Sequence, residues 1–298
     1  MLKKVKTNKF KSLVIFILQI GFNFSFLAGL TIKADSHPIK LSNNTTKVQN
    51  KRLSKVGRFT LTYSTTSKFP NTVREIKRSG YMEASIKELN KKNLNLPVNI
   101  PVNLKECGKP NAHYNLRTHE IVLCYDLIVY IHNFFIQKGI APDDAMLLAI
   151  GSGVMTLFHE AGHALVDTLD LAITGKEEDT VDDFAATLIL DDNNIFPDEI
   201  LVVMGNFFNE FQADIPFWAE HSTGEQRSFN WVCMLFGKNP QKYAKYAVQS
   251  GLGESRAAKC PREYQQKISS WERLLAPHSL HDTPNRANSG GNTPVIRW

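Results

Sequence analysis

The sequence predicts an α+β protein in which a small mixed or antiparallel sheet packs on a helical bundle. Two observations support this fold class. Apolar residues alternate with polar ones in short segments of the first half, at 58–63, 96–104 and 119–125, which is typical of strands. Later segments carry apolar residues at helical spacing, and the longest of them, 142–169, begins with the helix-start signal Pro-Asp-Asp.

The second strand segment, 96–104, contains two prolines, Pro97 and Pro101. Because proline has no N–H group to donate to a neighbouring strand, we expect this strand at an edge of the sheet. A helical segment at 72–90, interrupted by Gly80, separates it from the first strand.

The third strand, 119–125, follows a turn at 115–118, so the chain from Cys107 to Tyr125 is predicted to form a hairpin that returns beside the preceding strand. The edge of this third strand is a candidate site for binding an extended peptide. The remaining chain predicts helices, with 196–211 helical or mixed. The predicted helical segments are 126–138, 142–169, 177–190, 196–211, 221–236, 240–249 and 262–275.

Residues 1–34 have the pattern of an export signal, with a lysine-rich start, a long apolar run and a small residue, Ala34, at a plausible cleavage point. The apolar run is also long enough to remain as a membrane anchor, and the positive start places the domain outside the cell membrane in both cases. We therefore expect a periplasmic or extracellular protein, and contact with the membrane only if the segment is retained.

The net charge of +6 has its origin in the same segment, which holds six of the 35 basic residues and none of the 29 acidic ones. The rest of the chain is neutral and has no basic stripe, which argues against a nucleic-acid partner. We expect 35–57 to be a flexible lead-in, 58–277 to be one folded domain and 278–298 to be a disordered tail.

Four cysteines suit an exported protein, because an even number in an oxidising compartment indicates disulfides. We predict pairing between neighbours in the sequence, Cys107 with Cys124 and Cys233 with Cys260. A second zinc site is the alternative, although no Cys-x-x-Cys spacing supports it.

The segment 155–169 contains His159-Glu160-Ala161-Gly162-His163, an HExxH motif. On a helix, residues four apart lie on one face, so both imidazoles can bind one zinc ion, and Glu160 is placed to act as general base toward water at the metal. An amphipathic helix with two surface histidines is the plain alternative. It fits poorly, because apolar residues surround the histidines and a partly buried histidine pair beside a carboxylate needs a reason. The motif thus predicts a zincin-like fold.

A catalytic zinc site needs a third protein ligand. Glu178 begins the next predicted helix and Asp182 follows one turn later, an arrangement in which the glutamate binds metal and the aspartate orients a ligand histidine. Asp182 or Asp179 remains an alternative ligand. The acidic start Glu177-Glu178-Asp179 also has a plain explanation, since acidic residues stabilise helix N-termini.

The stretch HEAGHALVDTLDLAITGKEEDTVDDFAATLIL resembles a bacterial family of proposed metallopeptidases whose function is not established. The resemblance covers about residues 58–277 and includes CGKPNAHYN, IVLCYDL and HSTGEQRSFNWVCMLFG. The segment 178–186 is more distantly similar to the second motif of ImmA/IrrE-type zinc peptidases, which implies that Glu178 is a ligand. Val181 departs from that motif, which usually carries alanine there.

These observations predict an exported metallopeptidase with one zinc ion per chain, which cleaves peptide bonds in a peptide or protein substrate with Glu160 as general base. His221, Arg227, Tyr114 and His113 are candidates for contacts with the substrate or transition state. Two other functions stay open: a non-catalytic zincin-fold binding protein, and a zinc amidase acting on cell-wall peptide. The intact Glu160 argues against the first, and the chain has no wall-binding repeat that favours the second.

Overall fold

The computed structural model describes residues 56–210, 216 and 218–280. Within these residues the protein is α+β, with a four-stranded mixed sheet packed on helices, as the sequence predicts. The strands are β1 (Phe59–Tyr63), β2 (Ile100–Lys105), β3 (Ala112–Asn115) and β4 (Glu120–Cys124). The helices are α1 (Pro70–Ser79), α2 (Tyr81–Lys91), α3 (Tyr125–Gln137), α4 (Pro142–Thr168), α5 (Glu177–Ile189), α6 (Glu199–Glu210), α7 (Gly224–Lys238), α8 (Pro240–Gln249), α9 (Glu254–Ala257) and α10 (Cys260–Leu275).

The sheet has the order β1-β2-β4-β3, with β1, β2 and β4 parallel and β3 antiparallel to β4. The edge position predicted for the proline-containing strand is wrong, because β2 lies between β1 and β4. The N–H of Ile100 donates to Arg58 on the β1 side, so the next residue, Pro101, faces β4. Pairing between β2 and β4 starts at Val102, one residue after Pro101. The absence of an N–H group on Pro101 therefore removes no hydrogen bond between these strands.

Helix α4 is the centre of the protein and contacts β3, β4 and several other helices. It is the one helix in the described part of the chain that is long and apolar enough to cross a membrane, but 83% of its apolar window is buried inside the protein. It is therefore a core helix. The predicted helix at 72–90 is two helices, since Gly80 takes a left-handed backbone (φ 69°) between α1 and α2.

Two disulfides join Cys107 to Cys124 and Cys233 to Cys260, the pairing that the sequence predicts. The first connects the end of β4 to the loop before β3, and the second ties α7 to the first residue of α10. All four cysteines are paired, so none remains for a second zinc site.

The folded part extends slightly beyond the predicted boundary at residue 277. The N–H of Asn95 donates to the carbonyl of His278, and Ser279 forms a bridge with Leu94. Residues 278–280 thus pack against the main domain. The predicted signal segment, 1–34, and residues 281–298 of the predicted tail lie outside the described residues, as does all but the last two residues of the lead-in, 35–57.

Candidate metal centre

Helix α4 presents His159 and His163 on one face, as their spacing requires. Their Nε2 atoms lie 3.3 Å apart. Both side chains are largely shielded from solvent, because α5 packs across this part of α4. Two histidines with adjacent nitrogen atoms in a buried position need a cation between them or a partner for each ring.

Glu178 lies in the first turn of α5 and points its carboxylate at both imidazoles. Its Oε2 is 3.1 Å from the Nε2 of His159, and its Oε1 is 3.5 Å from the Nε2 of His163. Each of these three residues offers one ligand atom, and the three atoms all lie within 4.8 Å of one another. Asp179 is directed elsewhere and accepts a hydrogen bond from Ser222 at 2.9 Å.

The separations of these ligand atoms fit a tetrahedral zinc ion. Zinc–ligand bonds of about 2.0–2.1 Å at tetrahedral angles place neighbouring ligand atoms about 3.3 Å apart. The observed separations of 3.1, 3.3 and 3.5 Å surround this value. Two imidazoles and one carboxylate are also the donor set of a known class of catalytic zinc site. Three protein ligands leave one position for water or substrate.

The Oε2 atom of Glu178 provides a second test of the fit. It is buried, and it has no hydrogen-bond partner in the described part of the chain. His159 and His221 place Nε2 atoms 3.1 and 2.9 Å from it, as ion-pair contacts and not as well-aligned hydrogen bonds. A buried carboxylate oxygen without a well-aligned donor is costly, and a metal ion at this point would satisfy it.

The other ring nitrogen of each histidine is held by a carboxylate from α5. His159 Nδ1 lies 2.8 Å from Asp182, and His163 Nδ1 lies 2.7 Å from Glu177. An ionised carboxylate only accepts hydrogen bonds, so each Nδ1 donates to its carboxylate and each Nε2 is the nitrogen left to bind a metal ion. Glu177 was not predicted in this role. The sequence feature that could have indicated this role is its position directly before Glu178. An acidic residue there is also explained by stabilisation of the helix N-terminus.

Charge around the centre favours a cation. Burial opposes protonation of His159, but Asp182 and Glu178 outweigh it and raise the pKa of the imidazole to about 9. Burial also opposes ionisation of Glu178, yet the three histidines around it hold its pKa well below the usual value. The carboxylates that favour a proton on the imidazoles would equally favour a divalent metal ion in the place of that proton.

Glu160 lies on α4 beside the histidines and is buried. Burial raises the pKa of its carboxyl, and the positive fields of His159 and His163 offset this only in part. The positive field of His113, which lies on β3, acts in the same direction, and β3 packs against α4. A carboxyl group with a raised pKa in this position is suited to accept and return a proton.

The other three candidates for contact with the substrate or transition state, His221, Tyr114 and Arg227, have different surroundings. His221 is half exposed, and its ring stacks at 6.3 Å on that of His159. The Tyr114 hydroxyl donates to Asp167 at 2.6 Å, so it is already engaged. Arg227 is turned toward α5. Its guanidinium is buried against Asp182, with Nε 2.7 Å from Oδ2 and Nη2 2.8 Å from Oδ1.

The helix pair α4–α5 thus defines a protein with an HExxH-type candidate metal centre beside a mixed sheet. The chain matches the family described as "Putative metallopeptidase" over residues 63–275. It belongs to this family. No curated protein and no solved structure matches the chain.

Proposed function

We propose that the protein is an exported, zinc-dependent metallopeptidase that hydrolyses peptide bonds. The observation that carries the proposal is the buried carboxyl of Glu160 beside the group formed by His159, His163 and Glu178. A metal site that serves only structure needs no general base. Membership of the family supports the peptidase class, and the two disulfides favour an oxidising compartment.

The chemistry is divided between the metal and Glu160. A zinc ion held by His159, His163 and Glu178 would supply a Lewis acid for the scissile carbonyl and would help water to lose a proton near neutral pH. Glu160 accepts that proton as the water attacks the carbonyl carbon. It then returns the proton to the nitrogen of the leaving amine as the carbon–nitrogen bond breaks. His221 is the proposed donor to the developing oxyanion, because its exposed ring lies beside Glu178.

The substrate strand is proposed to lie along β3. The expectation that β4 offers its edge is wrong, since β4 lies between β2 and β3. The N–H of Cys124 donates to the carbonyl of Asn111, so Asn111 faces β4. Because every second residue of an antiparallel strand faces its partner, the peptide groups of Ala112 and Tyr114 point away from β4. These groups can pair with an extended peptide, and β3 packs directly on the metal-bearing helix.

The proposal is tested with the purified full chain and its Glu160→Gln variant. We expect about one zinc per chain in both proteins by elemental analysis. We expect cleavage of denatured casein or of a peptide library, read by mass spectrometry, in the unaltered protein alone. Glu75→Gln, in an ion pair with the exposed Arg78 on α1, is the matched control and should cleave normally. Zinc with no cleavage would support a binding protein instead, and absence of zinc would refute the site.

A further inference from the structure

Arg227 lies in the second turn of α7 and turns its guanidinium toward α5. It forms a two-point contact with Asp182, in which Nε and Nη2 donate to the two carboxylate oxygens at 2.7 and 2.8 Å. The side chain is 11% exposed, and its guanidinium carbon lies 4.1 Å from the ring centre of Phe208 and 5.4 Å from that of Trp231. The contact is therefore fixed on several sides.

Asp182 connects this arginine to the metal centre. The Oδ1 atom that accepts from Arg227 also lies 2.8 Å from the Nδ1 of His159. One carboxylate thus holds a ligand imidazole on one side and a guanidinium on the other. A buried carboxylate needs an opposite charge and enough donors to stay in place, and Arg227 supplies both.

We propose that Arg227 is a positioning residue of the metal centre, which orients Asp182 and thereby holds the His159 imidazole in the direction that metal binding requires. This inference rests on the metal site of the proposed function, and not on peptide cleavage. It assigns to Arg227 a contribution to metal affinity in place of a contact with substrate.

The shape of the arginine matters for this role. A guanidinium is a planar fork that matches both oxygens of a carboxylate, whereas an ammonium group is a point charge. Lysine in this position would retain the charge but would not fix the carboxylate plane. The rotation of Asp182 determines where its Oδ1 lies relative to His159, so the loss of the fork should reduce metal affinity even with the charge retained.

Asp183, which follows Asp182 on α5, provides a matched control. Asp183 pairs at 2.5 Å with Lys267 of α10, and neither residue contacts a candidate ligand. Lys267→Met therefore removes a cation paired with α5 that forms no ion pair with Asp182. If any ion pair on this helix affected metal affinity merely through stability, Lys267→Met would have the same effect as Arg227→Met.

The experiment measures zinc affinity of the full chain by competition with a chelator, together with the visible spectrum of the cobalt-loaded protein. We expect Arg227→Met to bind zinc about 10–100-fold more weakly, Arg227→Lys about tenfold more weakly, and both to alter the cobalt spectrum. Lys267→Met should match the unaltered protein. Circular dichroism identifies the folded variants, and Arg227→Lys carries the test if Arg227→Met does not fold.

A double-variant comparison separates positioning from a general structural role. If Arg227 acts through Asp182, the affinity of Asp182→Asn/Arg227→Met should equal that of Asp182→Asn within about twofold. Additive losses would overturn the inference, as would an Arg227→Lys protein with unaltered affinity and cobalt spectrum. If the unaltered protein binds no zinc, the proposed function itself fails, which is a different result.

Discussion

Gly162 of α4 faces Val181 of α5 so closely that a Cβ atom on Gly162 would lie 2.7 Å from the Cβ of Val181. This contact sets the distance between the helix that carries the histidines and the helix that carries Glu178. It also accounts for Val181, where the similar peptidase motif usually has alanine: the absence of a side chain at Gly162 makes room for the larger residue.

Gly162→Ala should therefore separate the two helices. We expect a loss of about 1–3 kcal/mol in the free energy of unfolding, because a Cβ atom must force the packed backbones apart. Zinc affinity should fall as well, since Glu178 moves away from the histidines. Denaturant unfolding and chelator competition measure the two effects. Gly253→Ala has open space around its Cβ and is the control. An alanine variant with unchanged stability and affinity would contradict this explanation.

Glu178 and Asp182 have different positions at the centre and should behave differently when removed. Glu178→Ala should leave little zinc at any practical concentration, because a ligand is lost. Asp182→Ala should still bind zinc, about 10–100-fold more weakly, because only the partner of His159 is lost. Zinc content before and after dialysis distinguishes them. An empty Asp182→Ala protein beside a fully loaded Glu178→Ala protein would reverse the two roles.

Glu177 holds His163 as Asp182 holds His159, but in a more exposed position, with 46% of its side chain accessible. Because solvent weakens exposed charge contacts, we expect Glu177→Ala to reduce zinc affinity less than Asp182→Ala does, by about tenfold at most. The same chelator competition measures it. A larger loss from Glu177→Ala than from Asp182→Ala would show that His163 depends more on its carboxylate than the geometry indicates.

The Tyr114 hydroxyl on β3 donates a hydrogen bond to Asp167 on α4, one turn beyond His163. The Nδ1 atom of His119 lies 3.1 Å from the same carboxylate oxygen. Tyr114→Phe removes the hydroxyl and keeps the ring. If extended peptides pair with β3, we expect KM for a long peptide to rise several-fold, because β3 loses a hydrogen bond that holds it against α4, with zinc content unchanged. Unchanged KM and kcat would remove β3 as the docking strand.

The sequence predicted what depends on local spacing, and it was less informative about contacts between distant segments. Helical periodicity and the HExxH spacing sufficed for α4, and the position of Glu178 followed from the next helix start. The central place of β2 and the true edge strand depend on sheet order, which no single strand encodes. The roles of Glu177 and Arg227 depend on how α5 and α7 pack on α4, so their residue types alone do not reveal them.

A crystal structure of the Glu160→Gln variant, grown with zinc and a peptide substrate and measured at the zinc absorption edge, tests the central claim most directly. We predict an anomalous peak bound by His159 Nε2, His163 Nε2 and Glu178, with the peptide paired along β3 and its carbonyl beside the metal. A zinc ion bound by other residues, or a peptide located away from this centre, would contradict the proposed function.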